Sequence, residues 1–369
     1  LNFDLDEQQV MLGDLVRRFM ADRYDVARRA RYRAEPEAFS RDNWRMLGEL
    51  GLLALPFAED QGGLAGGATE LMVVMEALGR GLCAEPYLSD LLLAARVMDL
   101  AGTEAQRLAW LPGIIAGETR LALAHAETAG RFNTAFVACA VEGGPDAPRL
   151  TGAKTFVLGG VGVDGFIVSA REQGAVDDAD GVSLWLVAPD APGLSVRDYR
   201  LVDGSAACEL RLQGVTGAER LAGGGERLFE AFDTARLAAC AEMVGVMSAL
   251  LDATLEHLRT RHQFGQPLGA FQVLQHRAAE LYASLEQSRS QLYRAGLAAP
   301  AEAPVVIAGA KAFISAAAVR LGEACIQLHG GMGISDELAI GHGHKRILLL
   351  ASLLGDSDSE LERYLKLAG

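Results

Sequence analysis

Two short segments toward the C-terminal end carry side chains suited to an anionic, ring-bearing ligand. From Arg261 through His262, Gln263, Phe264 and Gly265 to Gln272, a guanidinium, a flat aromatic and amide side chains cluster where an apolar helical run gives out before Pro267. A guanidinium forks onto phosphate oxygens, and an aromatic plane covers a heterocycle. In Gln327-Leu328-His329-Gly330-Gly331-Met332-Gly333, three glycines let backbone N–H groups approach an anion closely. Either segment alone also reads as an ordinary helix C-terminal stop, where glycine is common. Together, each at the end of a long helical run, they favour a shared ligand. A third glycine motif does not add to them. Gly160-Val161-Gly162-Val163-Asp164-Gly165 fits G-x-G-x-x-G, but it lies between two strand-like runs where a dinucleotide site needs a strand and a helix, so a β-turn is expected.

The elements that must position these segments follow from periodicity. The first third reads helical. Val10, Leu12, Leu15, Val16 and Phe19 recur at helical spacing behind Asp6, and Ser40 or Asp42 caps a second run through Trp44 and Leu47. A Gly-rich loop over Ala58–Gly67 precedes helical runs over Thr69–Gly79, Leu88–Leu100 and Glu104–Ile115. From Leu121 to about Leu221 the runs are short, β-rich and broken by turn residues: Arg120–His125, Ala135–Val141, Leu150–Leu158, Phe166–Ser169, Val182–Val187 and Cys208–Leu212. Past Gly223-Gly224-Gly225, long runs over Leu228–Thr260, Phe271–Gly296 and Val305–Leu328, with a fourth near Arg346–Leu354, describe a bundle. The expected fold is α+β and multidomain: an N-terminal α-helical domain (residues 1–117), a middle β-barrel (118–222) and a C-terminal four-helix bundle (223–369).

Composition bounds the function. Half of the 369 residues are hydrophobic and 22% are charged, enough for a sizeable core. Lys plus Arg is 34 against 48 Asp plus Glu, a net charge of −14, which disfavours nucleic acid as a partner. Five widely spaced cysteines without a Cys-x-x-Cys fit reduced thiols in a cytoplasm, and no metal site is expected. The acidic, amphipathic stretch Leu1–Arg18 is unlike a signal peptide. No run reaches the roughly 18 uninterrupted apolar residues of a membrane span, so no membrane role is expected.

These motifs resemble the acyl-CoA dehydrogenase flavoprotein family over essentially the whole chain. Arg261 to Gln272 resembles its R-x-x-F-G-x-x-x-x-x-x-Q stretch and Gln327 to Gly333 its Q-x-x-G-G-x-G. Phe3-Asp4-Leu5-Asp6-Glu7-Gln8-Gln9 and Gly51 to Pro56, leading to Gly62-Gly63, fit its beginning. The resemblance implies the helix, barrel, bundle order. It implies transfer of two hydrogens from Cα and Cβ of an acyl-CoA thioester to FAD, a carboxylate removing the α-proton, with an electron-transfer flavoprotein taking the electrons. In that family the FAD ring rests on one subunit and its ADP portion reaches a neighbour's bundle. The residues resembling the ADP-side contacts are Arg261, Phe264, Gln272, Gln327 and Gly331, with Gln263, Leu328 and Gly330 beside them.

The catalytic positions depart from the pattern. The family's base lies in a late Tyr-Glu-Gly-Thr stretch, and here Leu354 of Leu353-Leu354-Gly355-Asp356 takes the Glu position. Other members place the Glu before an Arg early in the long helix, where this chain has Ala235-Arg236. Asp356 and Glu242 are the carboxylates nearby, with a helix N-cap and a structural hydrogen bond as their competing readings. The ring-side pattern is altered too: Arg131 stands near a Ser position, and the family's Trp-x-Thr reads Phe156-Val157-Leu158. The catalytic residue is therefore left unassigned. The chain resembles the small, base-lacking subunit of heteromeric bacterial acyl-CoA dehydrogenases, whose partner chain carries the Glu. A self-sufficient homo-oligomer using Glu242 or Asp356, and a non-enzymatic scaffold, are the alternatives.

Overall fold

The computed structural model describes residues 5–144 and 147–369, so Phe3 and Asp4 of the first motif lie outside it. Helix α1 (Glu7–Arg23) starts at a capping box: Asp6 accepts from the Gln9 backbone N–H, and the Gln9 side chain accepts from the Asp6 N–H. After α2 (Val26–Ala34), Ser40 and not Asp42 caps α3 (Arg41–Glu49), which buries Trp44 and Leu47. Helix α4 (Ala68–Arg80) follows the Gly-rich loop. The single helix expected over Leu88–Leu100 is instead a fully buried π-helical stretch, Tyr87–Ala95, running into α5 (Arg96–Ala101). Thr103 and Gln106 form a second capping box at α6 (Glu104–Ile115).

The middle of the chain supplies β1 (Leu121–Ala124), β2 (Ala140–Glu142), β3 (Arg149–Leu158), β4 (Gly165–Arg171), β5 (Val182–Val187), β6 (Leu194–Arg200), β7 (Ala206–Val215) and β8 (Glu219–Gly224). They form one mixed sheet in the order β6-β7-β3-β2-β4-β5-β8, with β1 parallel to β4. Strands β4 and β5 are buried along their whole length, which is why they read as continuous apolar runs. The Gly160–Gly165 motif is the expected connection between β3 and β4, with Gly162 at φ +67. The strand expected over Ala135–Val141 is corrected to Ala140–Glu142. Upstream, the Arg171 guanidinium takes the Ala135 and Val137 carbonyls, and the Glu127 carboxylate takes the Ala138 and Cys139 N–H groups. Side chains thus satisfy a backbone that would otherwise need a neighbouring strand.

Helix α7 (Gly225–Thr260) has 36 residues, about 54 Å at 1.5 Å per residue. A small hairpin, β9 (His262–Gln263) and β10 (Gln266–Pro267), leads to α8 (Gln272–Gly296), α9 (Ala303–His329), α10 (Ala339–Ser352) and α11 (Ser357–Ala368). Helix α9 packs against α8, α10 and α11. The fourth place of the expected bundle is thus shared by two short helices. Helix α10 begins well before Arg346. Its glycines blur the apolar period, and Gly343 admits α7, since a Cβ there would lie 2.7 Å from Leu250. The one glycine inside α7 has a similar cause: a Cβ on Gly245 would sit 2.0 Å from the Glu76 carbonyl oxygen of α4.

The chain divides into two compact units. One holds the residues up to Arg31, Ala68–Cys83 and Arg236–Gly369. The other holds Tyr32–Gly67 and Ala84–Ala235. Gly225–Thr260 and Ala303–Ile334, though interrupted by charged residues, are long and apolar enough by composition to cross a bilayer, with 83% and 61% of their apolar windows buried inside the protein. A bundle helix covered on most sides is apolar on most sides, so it meets the same criterion.

Candidate functional site

The two ligand-like segments meet at the ends of α7 and α9. The imidazoles of His257, in the last turn of α7, and His329, the last residue of α9, stack with ring centroids 4.4 Å apart and planes 24° apart. Beyond His257, the Arg261 N–H donates to the His257 carbonyl, and Leu268 N–H donates to the Arg261 carbonyl at 2.8 Å, closing the hairpin. At its tip Phe264 has φ +54 and is 89% exposed, touching edge-on only Phe271 among the aromatic rings described. Arg261 is exposed, and its guanidinium makes no hydrogen bond or ion pair among the described residues. Gln263 and Gln272 are exposed as well, Gln272 as the first residue of α8. On the other segment Gln327 is exposed and Leu328 buried.

Gly330 needs its glycine for φ +61. Gly331 does not: its φ is ordinary, and a Cβ there would meet nothing within 4 Å. Among the described residues nothing accounts for that glycine, for the unbonded Arg261 guanidinium, or for an aromatic ring 89% exposed in the left-handed region. The chemistry of these residues fits a nucleoside diphosphate: a guanidinium can fork onto its phosphates, and a backbone bare of Cβ can approach it closely. The sequence signal for His257, four residues before Arg261 and so one turn back on the same helix face, is visible only once His329 is known to face it.

Neither family position for a base holds a proton acceptor. Ala235 is fully buried. Leu354 sits at φ +58, a strained conformation for leucine, held by its surroundings. Its carbonyl accepts from Arg236 Nη2 at 2.9 Å, and Arg236 Nε in turn donates to Glu360 at 2.7 Å. The next carbonyl, of Gly355, accepts from the buried Lys311 Nζ at 2.8 Å. Burial pulls that ammonium down to about 8.

The two spare carboxylates are both engaged. Glu242 is 4% exposed and receives Arg346 on both oxygens, Nε at 2.6 Å and Nη2 at 3.1 Å. Asp356 caps α11, accepting from Ser359 N–H at 2.9 Å. Burial resists its ionisation, but the Ser359 hydrogen bonds and the Lys311 charge outweigh that and hold the carboxyl below the usual range. Asp356→Ala is therefore expected to cost about 1 kcal/mol of stability, the usual loss of an N-cap. Thermal melts would read this, and any turnover of the assembled protein should persist. Loss of turnover at unchanged stability would make Asp356 the base.

The ring-side positions lie in the sheet domain. Glu127 spends its oxygens on Lys154 Nζ at 2.7 Å and on the Ala138 and Cys139 N–H groups. Lys154, fully buried, also donates to Ser169 Oγ, which bonds His125 Nδ1 at 2.9 Å. Burial first, and the Lys154 charge second, push His125 down to about 3, so its ring stays neutral. Phe156 sits at φ +52 in a bulge of β3, and its N–H donates to Tyr199 Oη. Leu158 is 8% exposed and Arg131 is exposed at φ +46. Positions 131 and 158 present no hydroxyl.

Comparison with known proteins gives one consistent answer. Residues 6–118 match the family profile "Acyl-CoA dehydrogenase, N-terminal domain", and residues 223–366 match "Acyl-CoA dehydrogenase, C-terminal domain". The probable acyl-CoA dehydrogenase YngJ of Bacillus subtilis is 29% identical, with 98% of each chain covered. A solved structure of a point variant of the Tcur3481-Tcur3483 steroid ACAD is 30% identical over 98% of each chain, with a TM-score of 0.88. The ChsE4-ChsE5 complex from Mycobacterium tuberculosis is 26% identical over 99% of this chain and 98% of that one, with a TM-score of 0.90.

Proposed function

The chain belongs to the acyl-CoA dehydrogenase family, and on that premise we propose that it is the base-lacking subunit of an FAD-dependent heteromer acting on an acyl-CoA. One observation carries the reading: the ADP-side residues are present, with the Arg261 guanidinium unbonded among the described residues, while the two base positions hold Ala235 and Leu354. Bound FAD supplies the hydride acceptor for α,β-dehydrogenation. This chain's own part is to hold the ADP end through Arg261, Gln263, Phe264, Gln272, Gln327, Leu328 and the Gly330–Gly331 backbone. A partner chain with the family's Glu removes the α-proton and carries the flavin ring, and an electron-transfer flavoprotein takes the electrons. Two of the similar solved structures are described by paired chain names, Tcur3481-Tcur3483 and ChsE4-ChsE5, which supports pairing here. The self-sufficient reading loses support because Arg346 and the α11 cap occupy Glu242 and Asp356.

The test is flavin retention. Arg261→Ala removes a charge-assisted contact worth about 1.5–3 kcal/mol, so FAD should leave the native assembly roughly 10- to 100-fold more readily on gel filtration. Far-UV circular dichroism should be unchanged, because the side chain bonds nothing among the described residues. Unaltered flavin retention would remove the ADP-side assignment.

A further inference from the structure

The Arg261 segment and the Gly330–Gly331 segment come from different helices, and each lies just past a helix end, where backbones fray. A ligand held by both needs the two ends in register. The only aromatic pair described between α7 and α9 is the His257–His329 stack, and it joins them at that place. The His257 carbonyl accepts the Arg261 N–H at 2.9 Å, so the ring and the guanidinium belong to one continuous turn. His329 is followed directly by Gly330, whose N–H bonds back to the Gln327 carbonyl. His329 is itself fixed: it is 8% exposed, and its Nδ1 lies 2.9 Å from the Cys325 carbonyl, which it can meet only as a donor. Its orientation is therefore set from within α9, and His257 docks on a plane already in place.

We infer that the His257–His329 stack is a positioning device that registers Arg261 against the Gly330–Gly331 backbone and so pre-forms the site for a nucleoside diphosphate. This rests on the reading of that site as the ADP-side half of the cofactor site. Burial first, then the neighbouring His329 and Arg261, hold His257 below the ordinary imidazole range. Pre-forming the site lowers the ordering cost of binding, which otherwise reduces affinity. What His257 supplies is a flat ring, so the role should pass to another flat ring and not to an aliphatic chain of similar bulk.

The experiment is calorimetric titration of the full-length chain with ADP, comparing wild type, His257→Leu, His257→Phe and Arg261→Ala. An aromatic contact of this kind corresponds to roughly a three- to tenfold change in affinity. His257→Leu should weaken ADP by that factor with an unchanged helical spectrum, and His257→Phe should restore it to within about twofold. If His257→Leu binds ADP as wild type does while Arg261→Ala binds poorly, the positioning role is wrong and the site stands. If Leu and Phe weaken binding equally, the role is again wrong, since a flat ring did not rescue it. If Arg261→Ala binds ADP as wild type does, the site assignment itself falls, and the inference with it.

Discussion

The purified chain, given an acyl-CoA and an electron acceptor, is expected to show no turnover, and a partner chain bearing the Glu is expected to restore it. Abstraction of a proton α to a thioester needs a base within hydrogen-bond reach of Cα, and a positioned base contributes typically 10²- to 10⁴-fold. Ala235 and Leu354 contribute none of that, and the lone chain should also hold flavin poorly. On the ring side the Glu127 oxygens, the Lys154 ammonium and the Phe156 N–H already have partners. Reconstitution should bring flavin absorbance and turnover back together, with one flavin shared by each pair of chains. Absorbance titration of FAD against the mixture, with mass measurement of the assembly, checks the stoichiometry. Turnover and full flavin loading by the chain alone would overturn the heteromer assignment.

Much of this arrangement is legible in the sequence, and what is not legible has a common cause. Helix starts are readable because caps are local: Asp6 with Gln9 and Thr103 with Gln106 lie within one turn of each other. The ends of α8 and α9 are readable because glycine and proline punctuate them. The ligand segment at Gln327–Gly333 is readable because a positive φ at Gly330 and a bare Cα at Gly331 leave glycines in the sequence. The segment Ala135–Cys139 misleads because its strand-like composition says nothing of Arg171, which takes its carbonyls from 34 and 36 positions away. The π-helical stretch misleads because a buried apolar run looks the same at either pitch. Glu242 is the sharpest case. Periodicity places it on one face of α7 with Ala235, but its partner Arg346 lies 104 positions along the chain. Sequence alone could pose the choice between base and structural ion pair; the bidentate contact favours the ion pair.

That contact sets the second large effect. Glu242→Ala should destabilise the protein by about 3–5 kcal/mol, because it removes the carboxylate that receives both Nε and Nη2 of the buried Arg346 guanidinium. At roughly 2–4 °C per kcal/mol for a domain of this size, the unfolding midpoint should fall by about 10 °C. Arg346→Ala should do the same from the other side. Replacing both residues with apolar ones, as in Glu242→Leu with Arg346→Met, should recover most of the loss, since the paired charges gain little over their desolvation cost. A catalytic Glu242 predicts a different pattern. Glu242→Gln keeps the shape and removes the basic oxygen, so a base would lose all turnover in the reconstituted protein, whereas an ion-pair member would lose melting temperature with turnover per folded molecule within a few-fold. Differential scanning calorimetry beside rate measurements on the folded fraction separates the two. The coupling between Glu242 and Arg346 should appear in stability and be absent from turnover, and coupling confined to turnover would return Glu242 to the active site.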